Sequence, residues 1–277
     1  MNLAFVVERP TQFEAPFYRY ASQDPEHHLR VLFTDPRLSE PLFDPELDRT
    51  VSWGFDLLAG YDHAVCPPSG RAAWLTRELR SRDLVIINGY TRAPYLQATA
   101  IAHRLGIPTA LRLDSVLWNG APPRPHLKRL LFALALKPGY RLFLGTGTLT
   151  LDYLRFFGVS EERTGLFPYA IDVDAFREGS TLSPEERAAT RRRLGLPADA
   201  RVLLSLAKLN PRESPWDLLR AFTRNDGPDV ATRWLVLAGD GPERPALEAF
   251  AQNQGSTQGS ARVLFPGYIP YPELPAL

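Results

Sequence analysis

The sequence predicts an α/β chain of two Rossmann-like, doubly wound parallel-sheet domains, the second of them incomplete. Three observations predict it. Short, nearly all-apolar runs at 3–7, 84–87 and 235–238 read as strands buried on both faces. Stretches of helical length and period separate such runs, which is the βαβ pattern of a parallel sheet. A charged, proline-containing stretch at 178–199 interrupts the pattern before it restarts, and residues 199–277 supply only about half of the ~150 residues of a full domain.

In the first half, strands are expected at 3–7, 29–33, 84–87, 109–113 and 141–144. Helices are expected at 71–80, 94–105, 126–136 and 149–157. The stretch 35–68 is rich in Pro, Asp and aromatic residues and has no clean period. It reads as a long insertion or irregular crossover, a kind of segment more often functional than idle. In the second half a basic helical run at 185–194 precedes strands at 202–206, 235–238 and 263–265, with helices at 216–222 and 246–251. The boundaries that follow are 1–175 for the first domain, 176–198 for a linker with its helix, and 199–277 for the partial second domain.

The 277 residues are 44% hydrophobic and 23% charged, the composition of a soluble globular chain. A formal net charge of +1 speaks against nucleic acid as a partner, since that needs a strongly basic face. The single cysteine, Cys66, allows no intrachain disulfide and reads as a small core side chain. With neither a Cys/His cluster nor a clustered carboxylate motif, no metal is expected. The N-terminus lacks the pattern of a signal peptide, and no apolar run reaches the ~20 residues of a spanning helix. The expected location is therefore the cytoplasm. The 126–136 helix begins His-Leu-Lys-Arg-Leu-Leu-Phe. It reads either as a core-packed helix with solvated Lys128 and Arg129, or as a peripheral contact with an anionic inner membrane face.

In open parallel sheets ligands sit beyond the carboxyl ends of the strands, and this rule selects the candidate site residues. In the first domain these are Arg9 and Gln12, then Asn88 and Tyr90, then Arg112 and Asp114, which either meet a ligand or pair with each other to hold loops. Gly145-Thr146-Gly147-Thr148 lacks the third glycine of a dinucleotide fingerprint, so Thr146 or Thr148 reads as a helix N-cap. In the second domain the strand at 202–206 runs into Lys208, and a helix is expected from Pro215 with Ser214 as N-cap and Asp217 completing a weak capping box. Lys208 and Arg212 beside a helix N-terminus suit a diphosphate. A capped helix with solvated charges is the other reading. Gly239-Asp240-Gly241-Pro242 permits a tight strand-to-helix turn with close backbone approach to a ligand, and is also a generic turn.

Several motifs occur in a fixed order: Gly158-Val159-Ser160-Glu161-Glu162-Arg163, Tyr169-Ala170-Ile171-Asp172, Ala207-Lys208-Leu209, Leu218-Leu219-Arg220-Ala221-Phe222, Gly239-Asp240-Gly241-Pro242-Glu243 and Phe265-Pro266-Gly267-Tyr268. Across most of 140–277 this set resembles the retaining GT-B glycosyltransferases of family 4, the group 1 glycosyltransferases. The resemblance implies a GT-B-like fold of two facing domains. It implies transfer of a sugar from a nucleotide diphospho-sugar to the hydroxyl of a sugar or lipid-linked acceptor, with retention, in cell-surface polysaccharide or glycolipid synthesis. No cofactor is implied beyond the donor itself. Lys208 and Arg212 would carry catalysis by stabilising the departing diphosphate, and Gly239, Asp240, Gly241 and Tyr268 would bind the donor. Arg9, Gln12, Asn88, Tyr90, Arg112 and Asp114 would lie on the acceptor side.

The sequence departs from the family pattern at three points. Ala207 stands where the family has glycine, Glu213 falls at or next to the position of the usual second cation, and the Glu-x7-Glu segment that grips the donor is absent, as expected of a C-terminally truncated chain. A sugar-nucleotide epimerase of the same architecture is the alternative enzyme. An inactive truncated fragment or interaction module is the alternative that is no enzyme.

Overall fold

Apolar side chains alternate to both faces of the first sheet, so each strand needs cover on two sides. The structure, a computed structural model, describes residues 1–38, 42–44, 46–47, 49–51, 56–117, 125–224, 232–257 and 262–277. The chain divides into two compact units, Met1–Ser39 with Asp56–Asp172, and Glu40–Phe55 with Val173–Leu277. Among the described residues no helix is long and apolar enough to cross a membrane.

The first unit holds β1 (Asn2–Val7), α1 (Glu14–Ala21), β2 (His28–Phe33), β5 (Asp62–Val65), α2 (Arg71–Leu79), β6 (Leu84–Asn88), α3 (Ala93–Arg104), β7 (Thr109–Leu113), α4 (Pro125–Leu131), β8 (Leu142–Gly145), α5 (Thr148–Phe156) and β9 (Thr164–Leu166). The numbers 3 and 4 belong to the hairpin strands Leu42–Asp44 and Arg49–Val51, which group with the second unit. The seven strands of the first sheet lie in the order β5-β2-β1-β6-β7-β8-β9, every pairing parallel. The chain winds outward from β1 to β2 and β5, then crosses back to β6 and winds the other way. The reversal lies between β1 and β6. Right-handed crossovers then send α1 to one face and the helices of the opposite winding to the other. The two cores follow this division. Ala4, Val6, Leu32, Ile87, Leu111 and Phe143 pack with Trp74, Leu75, Ile101 and Leu154 from α2, α3 and α5. Phe5, Val7, Val31 and Phe33 pack with Ala15 and Tyr18 from α1. Cys66 is a buried free thiol whose pKa burial pushes up.

The second unit holds α6 (Val173–Ser180), α7 (Pro184–Leu194), β10 (Arg201–Leu206), α8 (Pro215–Thr223), β11 (Arg233–Ala238), α9 (Arg244–Thr257) and β12 (Val263–Gly267). Its sheet is β10-β11-β12, also parallel. Leu219 of α8 and Leu247 of α9 close over Leu235 and Leu237 on one face. Leu196 and Ala200 cover Val236 and Ala238 on the other. Among the described residues β10 has one strand neighbour, and its Val202, Leu203, Leu204 and Leu206 stay between 37% and 49% exposed.

Several expectations change. The stretch 35–68 is not wholly irregular, since it contains the hairpin and β5. α1 went unread because Pro16 and three aromatics obscure its period; its signal was Thr11 three residues before Glu14, whose amide donates to Thr11 Oγ1 over 3.1 Å ahead of the helix. The helix expected at 126–136 is α4 followed by a π-helical turn, Phe132–Leu136, and it is not core-packed. Only Phe132 is buried, while Leu127, Leu130, Leu131 and Leu134 are 50–69% exposed. Neither Thr146 nor Thr148 caps α5, because Gly147 occupies the cap position.

Candidate functional site

The second unit builds its carboxyl-end turns by interlocking backbone. The Leu209 amide donates to Asp240 O over 2.9 Å, the Glu243 amide returns to Leu209 O over 3.1 Å, and the Gly239 amide reaches Gly267 O over 2.9 Å. Such contact leaves no room for side chains. A Cβ on Gly239 would stand 1.9 Å from Ala207 O, and one on Gly241 2.5 Å from Leu209 O. The glycines of the Gly-Asp-Gly-Pro turn are therefore required by the strand beside them. Asp240 itself accepts from the Gly241 amide at 3.0 Å and from Arg244 at 3.3 Å, which ties it into the turn. Tyr268 follows β12 and is partly buried.

The start of α8 differs from expectation. Pro215 is the first helical residue, but Ser214 is left-handed (φ 51°, ψ 46°) and its side chain makes no cap bond, so the Ser214–Asp217 capping box does not form. Asn210 does the capping one turn earlier: its Oδ1 accepts from the Glu213 amide at 3.1 Å, stabilising a 3-10 turn over Pro211–Glu213. Asn210 is buried, and its Nδ2 finds no partner among the described residues. A side-chain acceptor just before Pro211 was the overlooked signal.

Lys208 is ion-paired rather than solvated. Its Nζ donates to Asp44 Oδ2 at 2.8 Å and to Glu46 Oε2 at 2.6 Å, both from the hairpin. Arg212 donates to the same Glu46 oxygen at 3.2 Å and to Glu213 at 3.3 Å. Burial works against the Asp44 carboxylate, but its bonds from Lys208 and from the Glu46 and Leu47 amides prevail and hold its pKa below the usual range. Burial likewise opposes the Lys208 charge, and the two carboxylates overcome it and raise the pKa.

In the first unit Arg112 is 2% exposed and ion-paired with Glu14, itself 6% exposed. It also donates to Asn88 Oδ1 at 3.3 Å. Its partner is thus Glu14, not Asp114. The guanidinium lies 4.9 Å from the Phe167 ring centroid and 4.6 Å from that of Tyr169. Asp114 is exposed, and its carboxylate faces the Tyr169 hydroxyl, whose pKa burial and Asp114 together raise. Arg9 turns away to Asp35 at 2.7 Å and to the Arg37 carbonyl at 3.0 Å. The Tyr90 hydroxyl meets that of Tyr153 at 3.2 Å. Gln12 is partly exposed before α1. The structure thus gathers Asn88, Arg112 and Asp114 into one cluster, with Glu14 and Tyr169 as members the sequence did not suggest. Arg9 and Tyr90 have other partners.

No family model matches the chain. A D-inositol 3-phosphate glycosyltransferase of Thermobispora bispora is 30% identical over 188 residues, covering 65% of this chain and 38% of that protein. The protein of the same name from Mycobacterium bovis is 26% identical over 159 residues, 57% of this chain and 28% of its own. The chain thus spans well under half the length of these relatives. Among solved structures, Anabaena HepE in complex with UDP superposes with a TM-score of 0.66 at 17% identity, covering 99% of this chain and 71% of that one. A glycosyltransferase from Rickettsia africae gives 0.67 at 11% identity, covering 99% and 70%. The chain is thus similar in sequence to proteins named D-inositol 3-phosphate glycosyltransferase, and it has the GT-B fold. In this GT-B chain the glycine turns and Lys208 stand at the carboxyl ends of the second sheet, and the Arg112 cluster at those of the first.

Proposed function

We propose that this GT-B chain belongs to a glycosyltransferase that moves a sugar from a uridine diphospho-sugar to a ring hydroxyl of a polyol or lipid-linked acceptor, with retention, in the synthesis of a cell-surface glycoconjugate. One observation carries the reading. Lys208, at the carboxyl end of β10 and one turn before α8, holds two anionic oxygens at 2.6–2.8 Å, as it would hold those of a diphosphate. The N-terminal amides of α8 add a positive dipole end. Fixed cations and amides stabilise the charge that builds on a departing diphosphate without reorganising, which is the largest catalytic term in many enzymes. Arg212 adds a second cation, Gly239 and Gly241 let backbone approach the donor, and Asp240 holds their turn. Tyr268 lines the donor side. Asn88, Tyr90, Arg9, Gln12 and the Arg112–Asp114 cluster serve the acceptor side. The UDP complexes of fold neighbours and the names of the sequence relatives support this assignment.

The test is UDP affinity by calorimetry. The parent chain should bind UDP, and Lys208→Ala should weaken binding at least tenfold. Equal affinity in both would sink the reading.

A second reading has a specific basis: a UDP-GlcNAc 2-epimerase from Neisseria meningitidis shares the fold, with a TM-score of 0.56 at 13% identity. Consumption of UDP-sugar that depends on an acceptor separates transfer from epimerisation. Peripheral membrane contact also belongs to the proposal, supported by the exposed Leu127, Leu130, Leu131 and Leu134 beside Lys128 and Arg129.

A further inference from the structure

We propose that Tyr169 is the floor of a subsite for a pyranose or cyclitol ring in the first unit, with Arg112 as the positioning residue beneath it. The proposal rests on the glycosyl-transfer reading and deepens its acceptor side.

Tyr169 lies just beyond the carboxyl end of β9, where a doubly wound sheet presents ligand contacts. It is 51% exposed. The Arg112 guanidinium stacks 4.6 Å from its centroid and is itself packed against Phe167. Glu14 of α1 and Asn88 at the end of β6 fix that guanidinium, and neither Arg112 nor Glu14 is open to solvent. Asp114 faces the phenol hydroxyl. One side of the ring is therefore held against Arg112 while the residue stays half open.

A sugar or cyclitol ring has the complementary chemistry. One of its faces is a patch of C–H groups, and its rim is hydroxyl. A rigid aromatic plane binds the C–H face at low entropic cost, and a few convergent polar groups select the rim. Asp114 is an exposed acceptor for rim hydroxyls beside the plane. A buried arginine that cannot itself reach a ligand still has a binding role here, because it sets the plane that does. An acyclic polyol carries the same hydroxyls without the flat C–H face, so the subsite should discriminate by shape.

Saturation-transfer NMR on the 277-residue chain, with UDP present, tests this with myo-inositol, methyl α-D-glucopyranoside and D-mannitol as probes. The two rings should receive saturation on their C–H protons and mannitol should not. Tyr169→Phe should keep ring affinity within about threefold, and Tyr169→Ala should lower it at least tenfold, with UDP affinity unchanged in both. Equal transfer in the Tyr169→Ala protein, equal transfer to mannitol, or no transfer to either ring would overturn the proposal. Intact UDP binding that is lost in Lys208→Ala, together with no ring binding, would reject this subsite alone. Absence of UDP binding by the parent would instead reject the reading on which it rests.

Discussion

Arg112 and Lys208 are both cations paired with carboxylates at strand ends, yet the first is sealed from water and the second is partly open. Arg112 is sealed with Glu14, 98 residues earlier in the chain. Removing one member of a buried pair leaves an uncompensated charge and costs about 3–5 kcal/mol. Glu14→Ala should therefore lower unfolding free energy by about that amount in urea titration, and an effect below ~1 kcal/mol would mean that water reaches the guanidinium. The position of Arg112 was legible in the sequence, since the strand around it is apolar and ends where it sits. Its partner was not, because nothing in a local pattern reports a contact between the first turn of α1 and β7, the third strand from the β9 edge of the sheet. Lys208 was legible for the same reason as Arg112. Its carboxylate partners lie in the aperiodic 35–68 stretch, where neither helical nor strand spacing singles out any residue.

The hairpin is the element with the most direct effect on the candidate donor site. Asp44 and Glu46 occupy Lys208 with the same kind of atoms a diphosphate would present, so the two compete. Asp44→Asn with Glu46→Gln should tighten UDP binding by about tenfold, the effect of roughly 1.4 kcal/mol less competition. A depressed carboxylate keeps its attachment above the ordinary value and loses it only as pH falls through the depressed one. A raised lysine keeps its attachment until pH climbs through the raised value. Asp44 and Lys208 bound a window from about pH 4 to about pH 10. The affinity ratio of variant to parent should thus stay flat from roughly pH 6 to 9; a slope there would point to another titrating group. The glycine turn is equally committed: Gly241→Ala must push aside the Leu209 carbonyl, and overpacking of this kind costs about 1–3 kcal/mol, readable as a lower Tm. At α4, Lys128 and Arg129 lie over the rings of Tyr153, Phe157 and Phe156, so their charges remain beside the exposed leucines. Replacing Leu130 and Leu134 with Ser should release the chain from anionic vesicles in a flotation assay. Failure of the parent to float would remove the membrane contact altogether.

At the scale of the whole molecule, the two parallel sheets and most element positions were legible because doubly buried strands must be apolar throughout. Val85, Ile86 and Ile87 announce β6 in this way. The short strands β5 and β9 were missed, since Asp62-His63 and Thr164-Gly165 carry no such run. β10 obeys the apolar rule without the burial that normally explains it. An edge left open among the described residues, with apolar side chains, invites pairing with another chain. The 277-residue chain should therefore self-associate at micromolar concentration in light scattering, and Leu203→Lys with Leu206→Lys should return it to monomer. Monodisperse parent protein would show that the edge is protected. The reversal of winding between β1 and β6 has a different kind of consequence. The chain leaves these two neighbours in opposite directions, so no local connection can bridge the notch between their ends, which the Glu8–Arg92 ion pair spans. That notch is a property of the path, like the gap left where two spirals part. Side chains can be exchanged and loops lengthened around it through any amount of sequence drift, and the opening stays where the thread turned back.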